Sequence, residues 1–121
     1  MREKRRFIRF GIALKTVYVV QKDPKIEKTG VTKDISAGGM ELLAEEKLLP
    51  GSKVSLNIYL PEALNPVHLN GVVVWSEEAV SDKKISYAAG IEFGKIEEDN
   101  KSTFLRFLCN LMYKKTGKGK A

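Results

Sequence analysis

The sequence predicts a mainly β protein, a small six-stranded antiparallel barrel followed by a single C-terminal α-helix. Three observations lead there. Apolar residues recur with a period of two through most of the chain, the mark of strands with one buried face. Turn-forming residues punctuate these runs at Asp23-Pro24, Gly38-Gly39, Pro50-Gly51, the Pro61 to Pro66 stretch and Asp82-Lys83-Lys84. After Phe93 the period lengthens to that of a helix. A barrel of this size leaves no open sheet edge and fills its interior with side chains, so a ligand is expected on its outside.

Taken in order, residues 1–10 form a basic arm with little apolar content and few reasons to be ordered by itself. The barrel occupies residues 12–93. Early strands are expected around Ile12 to Val20, Gly30 to Ile35 and Met40 to Ala44. The clearest strand is Lys53 to Leu60, where Val54, Leu56, Ile58 and Leu60 alternate with Lys53, Ser55, Asn57 and Tyr59. Val67, Leu69, Gly71, Val73 and Trp75 form the next inward set, and Ile85, Tyr87, Ala89, Ile91 and Phe93 the last. A helix is expected over residues 99–115, its stripe made of Phe104, Leu105, Phe107, Leu108, Leu111 and Met112, closing one side of the barrel. Asp99 or Ser102 can cap its start, and Lys114 and Lys115 suit the negative end of its dipole. Residues 116–121 read as a solvated tail.

At 121 residues, 43% hydrophobic and 30% charged, the chain is the size of one domain. Its apolar runs are short and interrupted, so neither a transmembrane helix nor a secretory signal is expected, and the protein is expected in the cytoplasm. The net charge of +6 suggests nucleic acid until it is divided along the chain. Arg2, Lys4, Arg5, Arg6 and Arg9 stand against Glu3 alone at one end, and Lys114, Lys115, Lys118 and Lys120 are unopposed at the other. Between them, 12 basic and 14 acidic residues nearly cancel. Duplex binding needs phosphate contacts spread over a surface, so duplex nucleic acid is not an expected partner. Cys109 is the only cysteine, which excludes an internal disulfide and favours a small packing residue.

Two short stretches carry chemistry. In Arg5-Arg6-Phe7-Ile8-Arg9, the guanidinium groups of Arg5 and Arg9 can grip phosphate bidentately, donate to guanine O6 and N7, or stack on a base. In Asp34-Ile35-Ser36-Ala37-Gly38-Gly39, Asp34 and Ser36 lie two apart at a strand end, so in extended chain they share a face. A carboxylate there accepts from the N1–H and N2–H edge of guanine, and the hydroxyl donates or accepts. Gly39 suits either a left-handed turn or close approach of a ligand. A solvated arm and an Asp/Ser turn are the plainer readings of the same residues.

The ordered set Arg5-xxx-Arg9 and Asp34-x-Ser36-xx-Gly39, followed by Pro50-Gly51, Gly71-x-Val73-x-Trp75 and Gly90-Ile91-x-Phe93, resembles the PilZ domain family of bacterial cyclic di-GMP receptors. The resemblance covers nearly the whole chain and implies the split barrel of that family. It implies that Arg5 and Arg9 contact guanine and phosphate, that Asp34 and Ser36 hydrogen-bond a guanine, and that Gly39 keeps the turn tight. Lys4 occupies a position that in the family influences whether one cyclic dinucleotide or an intercalated pair is bound, and a basic residue leans towards the pair. Arg6, at a variable position inside the motif, reads either as a phosphate contact or as a solvated side chain.

The resemblance also implies a switch, in which a dianionic ligand draws residues 2–10 against the barrel and creates or hides a surface for a protein partner. No cofactor beyond the ligand cyclic di-GMP is expected, no metal and no catalytic residue: His68 lies on a polar strand face, and no nucleophile or paired-carboxylate site accompanies it. Two other functions fit a barrel of this kind. One is a protein-interaction module of the same fold that does not bind nucleotide, against which the intact signatures argue. The other is a binder of single-stranded nucleic acid, which lacks a stacking platform because Tyr59 is the only aromatic on a clearly outward strand position.

Overall fold

The computed structural model describes residues 7–23, 25–61, 63–81, 84–96 and 98–117. Six strands, β1 (Lys15–Val20), β2 (Lys28–Ile35), β3 (Gly39–Ala44), β4 (Lys53–Ile58), β5 (Val67–Ser81) and β6 (Lys84–Phe93), precede one helix, α1 (Glu98–Gly117). All pairings are antiparallel, and the order β1-β2-β3-β6-β5-β4 closes through pairing of β1 with β4. The expected mainly β barrel with a C-terminal helix is therefore what forms.

Alternation decides the interior. On β4, Val54, Leu56 and Ile58 are fully buried between partly exposed neighbours, and Leu69, Leu42 and Ile35 meet them from other strands. Each such side chain contributes roughly 1.5–3 kcal/mol by leaving water. Gly51 makes the turn into β4 with a φ of 93°, a left-handed conformation that glycine adopts freely, and its N–H donates to Val73 O at 2.7 Å.

In the last two strands three expectations are corrected. The last two strands run further than alternation suggested: β5 reaches Ser81, and Lys84, assigned to a connection, begins β6. A bulge between Val73 and Trp75 reverses the phase of β5, so Trp75, expected inward, is exposed. Ile85, also expected inward, is exposed because its stretch of β6 extends beyond the end of β3, whose last pair is Ala44 with Tyr87.

On α1, Phe104 and Leu108 lie one turn apart and are buried, with Phe104 edge-on to Phe93 at 5.6 Å between ring centroids. Phe107 and Leu111 pack beside them, but Leu105 and Met112 sit at the margin of the stripe and remain exposed. Cys109, a residue past Leu108, is turned outward and is exposed rather than packed. The helix begins at Glu98, so Asp99 and Ser102 fall inside it and neither is the residue before its first turn. Asn100 ties it to the barrel, its Oδ1 accepting from His68 N–H at 3.0 Å. Among the described residues no helix is long and apolar enough to cross a membrane.

Candidate functional site

Arg9 reaches the barrel because the residue after it is anchored. Phe10 is buried and forms an antiparallel bridge with Ile35, its N–H donating to Ile35 O at 2.8 Å and its O accepting from Ile35 N–H at 2.9 Å. The basic arm therefore joins the barrel at Phe10, earlier than its composition suggests, because a phenylalanine supplies the apolar anchor. Opposite, the register of β2 against β3 shifts between Thr32 and Asp34, which leaves Thr32 and Ile35 buried and turns Asp34 outward.

These two local events set Arg9 on Asp34. Nε and Nη2 both donate to Oδ1, at 3.1 Å and 2.6 Å, with side chains 31% and 24% exposed. At that exposure the pair is worth on the order of 1 kcal/mol, weak enough for a ligand to reorganise. Residues 25 apart in sequence thus meet on the outer face, which joins the two signature stretches.

Ser36 does something different from what spacing implied. β2 ends at Ile35 and the chain turns, so Ser36 is buried and does not share the outer face with Asp34. Its Oγ donates to Gly39 O at 3.3 Å and accepts from Gly38 N–H and Gly39 N–H, each at 3.2 Å, while Ser36 N–H donates to Gly39 O at 2.8 Å. The hydroxyl locks the turn that carries Asp34 at its root. At Gly39 a positive φ is not what calls for glycine: a Cβ there would stand 2.3 Å from Ile91 O, because β3 starts hard against β6. Phe7 lies across Gly38, where an added Cβ would come within 2.9 Å of its ring.

Cross-strand pairing extends this face sideways. Asp34 pairs with Glu41, Glu41 with Gly90 and Gly90 with Trp75, a single lateral row over β2, β3, β6 and β5. The Trp75 indole lies over Gly90, where a Cβ would be 2.1 Å from Nε1. Trp75 thus bounds the face that Asp34 begins, roughly 14 Å away at three strand spacings. Sequence reasoning missed it because three consecutive valines, 72–74, hide the bulge; the run itself, which cannot alternate, was the available signal.

The charges on this row balance. Arg9 answers Asp34, and Lys33 Nζ lies 3.9 Å from Glu41 Oε2. An anionic ligand therefore needs further cations, and Lys4, Arg5 and Arg6, the candidates for that role, lie outside the described residues.

An open cleft of about 270 Å³ lies at the opposite end, lined by Tyr18, Val20, Lys28, Glu46 and Leu48 among others. Burial first, and the Glu46 carboxylate second, push the Tyr18 hydroxyl well above its ordinary pKa. Its O–H donates to Glu46 Oε2 at 3.5 Å, and Lys28 Nζ pairs with Glu46 Oε1 at 3.5 Å. His68 is exposed, with Nδ1 3.0 Å from Asn57 Oδ1. Among the described residues no three His, Cys, Asp or Glu side chains are grouped to hold a metal ion.

Comparison with known proteins agrees with this fold. Residues 3–109 match the PilZ domain family. No curated protein sequence gives a significant match. Among solved structures, the fold is similar to the PilZ domain of Escherichia coli YcgR with c-di-GMP: TM-score 0.71, 14% identity, covering 98% of this chain and 100% of that one. It is similar to the Bacillus subtilis inhibitor of motility MotI/DgrA, with TM-score 0.72 and 19% identity over 95% of this chain and 54% of that one. It is similar also to the K. pneumonia MrkH–c-di-GMP complex, with TM-score 0.70 and 18% identity over 98% of this chain and 57% of that one. The chain spans about half the length of MotI/DgrA and MrkH.

Proposed function

We propose, since this chain belongs to the PilZ domain family, that it is a receptor for cyclic di-GMP which passes the binding event to a protein partner. The observation that carries the reading is the Arg9–Asp34 contact, which brings the family's two signature stretches into one place on the outer face. YcgR and MrkH, two of the similar structures, are complexes with c-di-GMP.

The chemistry follows from what each group can offer. Asp34 directs Oδ1 to Arg9, and among the described residues its Oδ2 takes no hydrogen bond, which suits it to accept from a guanine N1–H and N2–H edge. Arg9, held only at one carboxylate oxygen, can turn its fork to a guanine Hoogsteen edge or a phosphate. Arg5, with Lys4 and Arg6, supplies the charge that the neutral row lacks. Ser36 and Gly39 position Asp34 through the turn. Ligand binding orders the arm of residues 2–10, whose end is already joined to the barrel at Arg9 and Phe10, and the rearranged arm is the surface a partner reads. No chemical turnover is part of this function, and its place is the bacterial cytoplasm, where the second messenger is met.

Titration calorimetry with cyclic di-GMP tests the reading. Micromolar affinity corresponds to about 8 kcal/mol, and losing one bidentate contact at ~1–3 kcal/mol weakens it roughly 5- to 150-fold, the result expected for Arg9→Ala and for Asp34→Ala. The same titration gives the stoichiometry, one ligand or an intercalated pair. A folded protein that shows no saturable heat at millimolar ligand overturns the receptor reading and leaves an interaction module of the same fold.

A further inference from the structure

The β5–β6 hairpin outruns the barrel that it belongs to. β4 pairs with β5 as far as Val72, after which Val73 bonds only to Gly51 and Ser52 of the preceding turn. β3 leaves β6 at Tyr87. Yet β5 and β6 stay paired from Ser76 with Ala89 out to Ser81 with Lys84. Among the described residues, β5 has no strand on its other side from residue 74 to residue 81. Every second residue there turns its N–H and C=O away from β6 with no ladder to receive them. Eight residues present about 27 Å of open edge.

Such a ribbon is physically unfinished. Two strands alone are marginal in water and gain stability from a third strand or a covering layer. Its tip carries apolar surface as well: Val80 and Ile85 are directly paired across the strands and are 69% and 54% exposed. Among the described residues the other open edges, residues 28–30 of β2 and 84–86 of β6, are only three residues long, so this stretch stands out as the place where another chain can add.

We propose that the free edge of β5 over residues 74–81 is a docking strand for an extended segment of a partner protein, with two adjacent basic residues and an apolar residue two positions beyond them. Glu77 and Glu78 are adjacent, exposed and on opposite faces of the ribbon, so an incoming strand meets a carboxylate on each side and is matched by two consecutive basic residues. Glu78 and Val80 share a face, so the residue after next on the partner lies beside Val80 and extends the Val80–Ile85 strip. The same carboxylates disfavour a second copy of this chain, because antiparallel self-pairing about this stretch sets glutamates against glutamates. The Val80–Ile85 tip of this surface lies at the other end of the barrel from Arg9 and Asp34, while Trp75 at its near end borders their face, and the proposal does not depend on nucleotide binding.

The probe is a blocked octapeptide, Thr-Val-Thr-Lys-Lys-Thr-Val-Thr, symmetric so that either strand direction is served, with a control in which Glu-Glu replaces Lys-Lys. Each is titrated into the full-length 15N-labelled chain without nucleotide. The Lys peptide should give saturable amide shifts and slowed amide exchange centred on residues 74–81, with at least tenfold weaker binding of the Glu peptide. In the exposed double variant Glu77→Lys with Glu78→Lys the preference should reverse, with core resonances unchanged as the check on folding. Equal response to both peptides, no saturable shift, shifts centred elsewhere such as the Tyr18 cleft, or a dimer that protects these amides by itself would each overturn the proposal.

Discussion

The two ends of this barrel are built on different terms. At the end bearing Arg9 and Asp34, chain crosses chain at close quarters: Phe10 is pinned to Ile35, Ser36 closes its turn with three contacts through Oγ, and β3 starts against Ile91 with no room for a side chain. At the other, β5 and β6 continue past their neighbours, and large apolar residues stand in solvent over an open edge. The lesson is that the residues recognisable as a binding signature are at the same time the ones that hold the closed end together. Loss of function there has two causes that must be separated, whereas the open end can be altered at little structural cost.

The sharpest break in this contrast is Gly39→Ala. A methyl group 2.3 Å from Ile91 O has a backbone atom to displace, so the variant is expected to lose roughly 3 kcal/mol or more, read as a lowered urea midpoint with m unchanged. Next is Ser36→Ala, which removes a buried hydroxyl and leaves the Gly38 and Gly39 N–H groups without that acceptor, at about 1–3 kcal/mol by the same measurement. If Ser36 instead acts chiefly by touching ligand, this variant keeps wild-type stability and loses only affinity.

Alkaline titration separates the ends by pH. The folded-state pKa of Tyr18 is raised, so its contribution is complete below the ordinary tyrosine value near 10 and is lost as pH climbs above it towards the folded value. Stability of the wild type should fall above about pH 10, and Tyr18→Phe should flatten that part of the profile while changing neutral-pH stability by less than about 1 kcal/mol. The smallest effect is expected at the ribbon tip: Val80→Ser with Ile85→Ser should stay within about 0.5 kcal/mol of wild type, since both side chains are already largely in water. A loss above about 2 kcal/mol would mean that the tip is covered in solution.

Alternation made β4 legible because one period runs through it without interruption, and the signature residues were legible because each belongs to a short local spacing. The same logic misplaced Trp75 and Ile85. One bulged residue inverts every later side chain on a strand, and a strand that overruns its neighbour loses the burial that alternation assumes. Ser36 was expected to share a face with Asp34 and does not, since the two-residue rule holds only while the chain stays extended, and it turns after Ile35.

The sequence by itself determined the barrel and its helix, the near-neutral body, and the two stretches that resemble the family's signatures. All of these rest on local periodicity and composition, which act over a few residues at a time. Only the tertiary structure decided that Arg9 lies on Asp34, that Gly39 has no room for a side chain beside Ile91, and that β5 leaves an edge open. Those depend on register between strands distant in the chain, which closure of the barrel selects and no local pattern encodes.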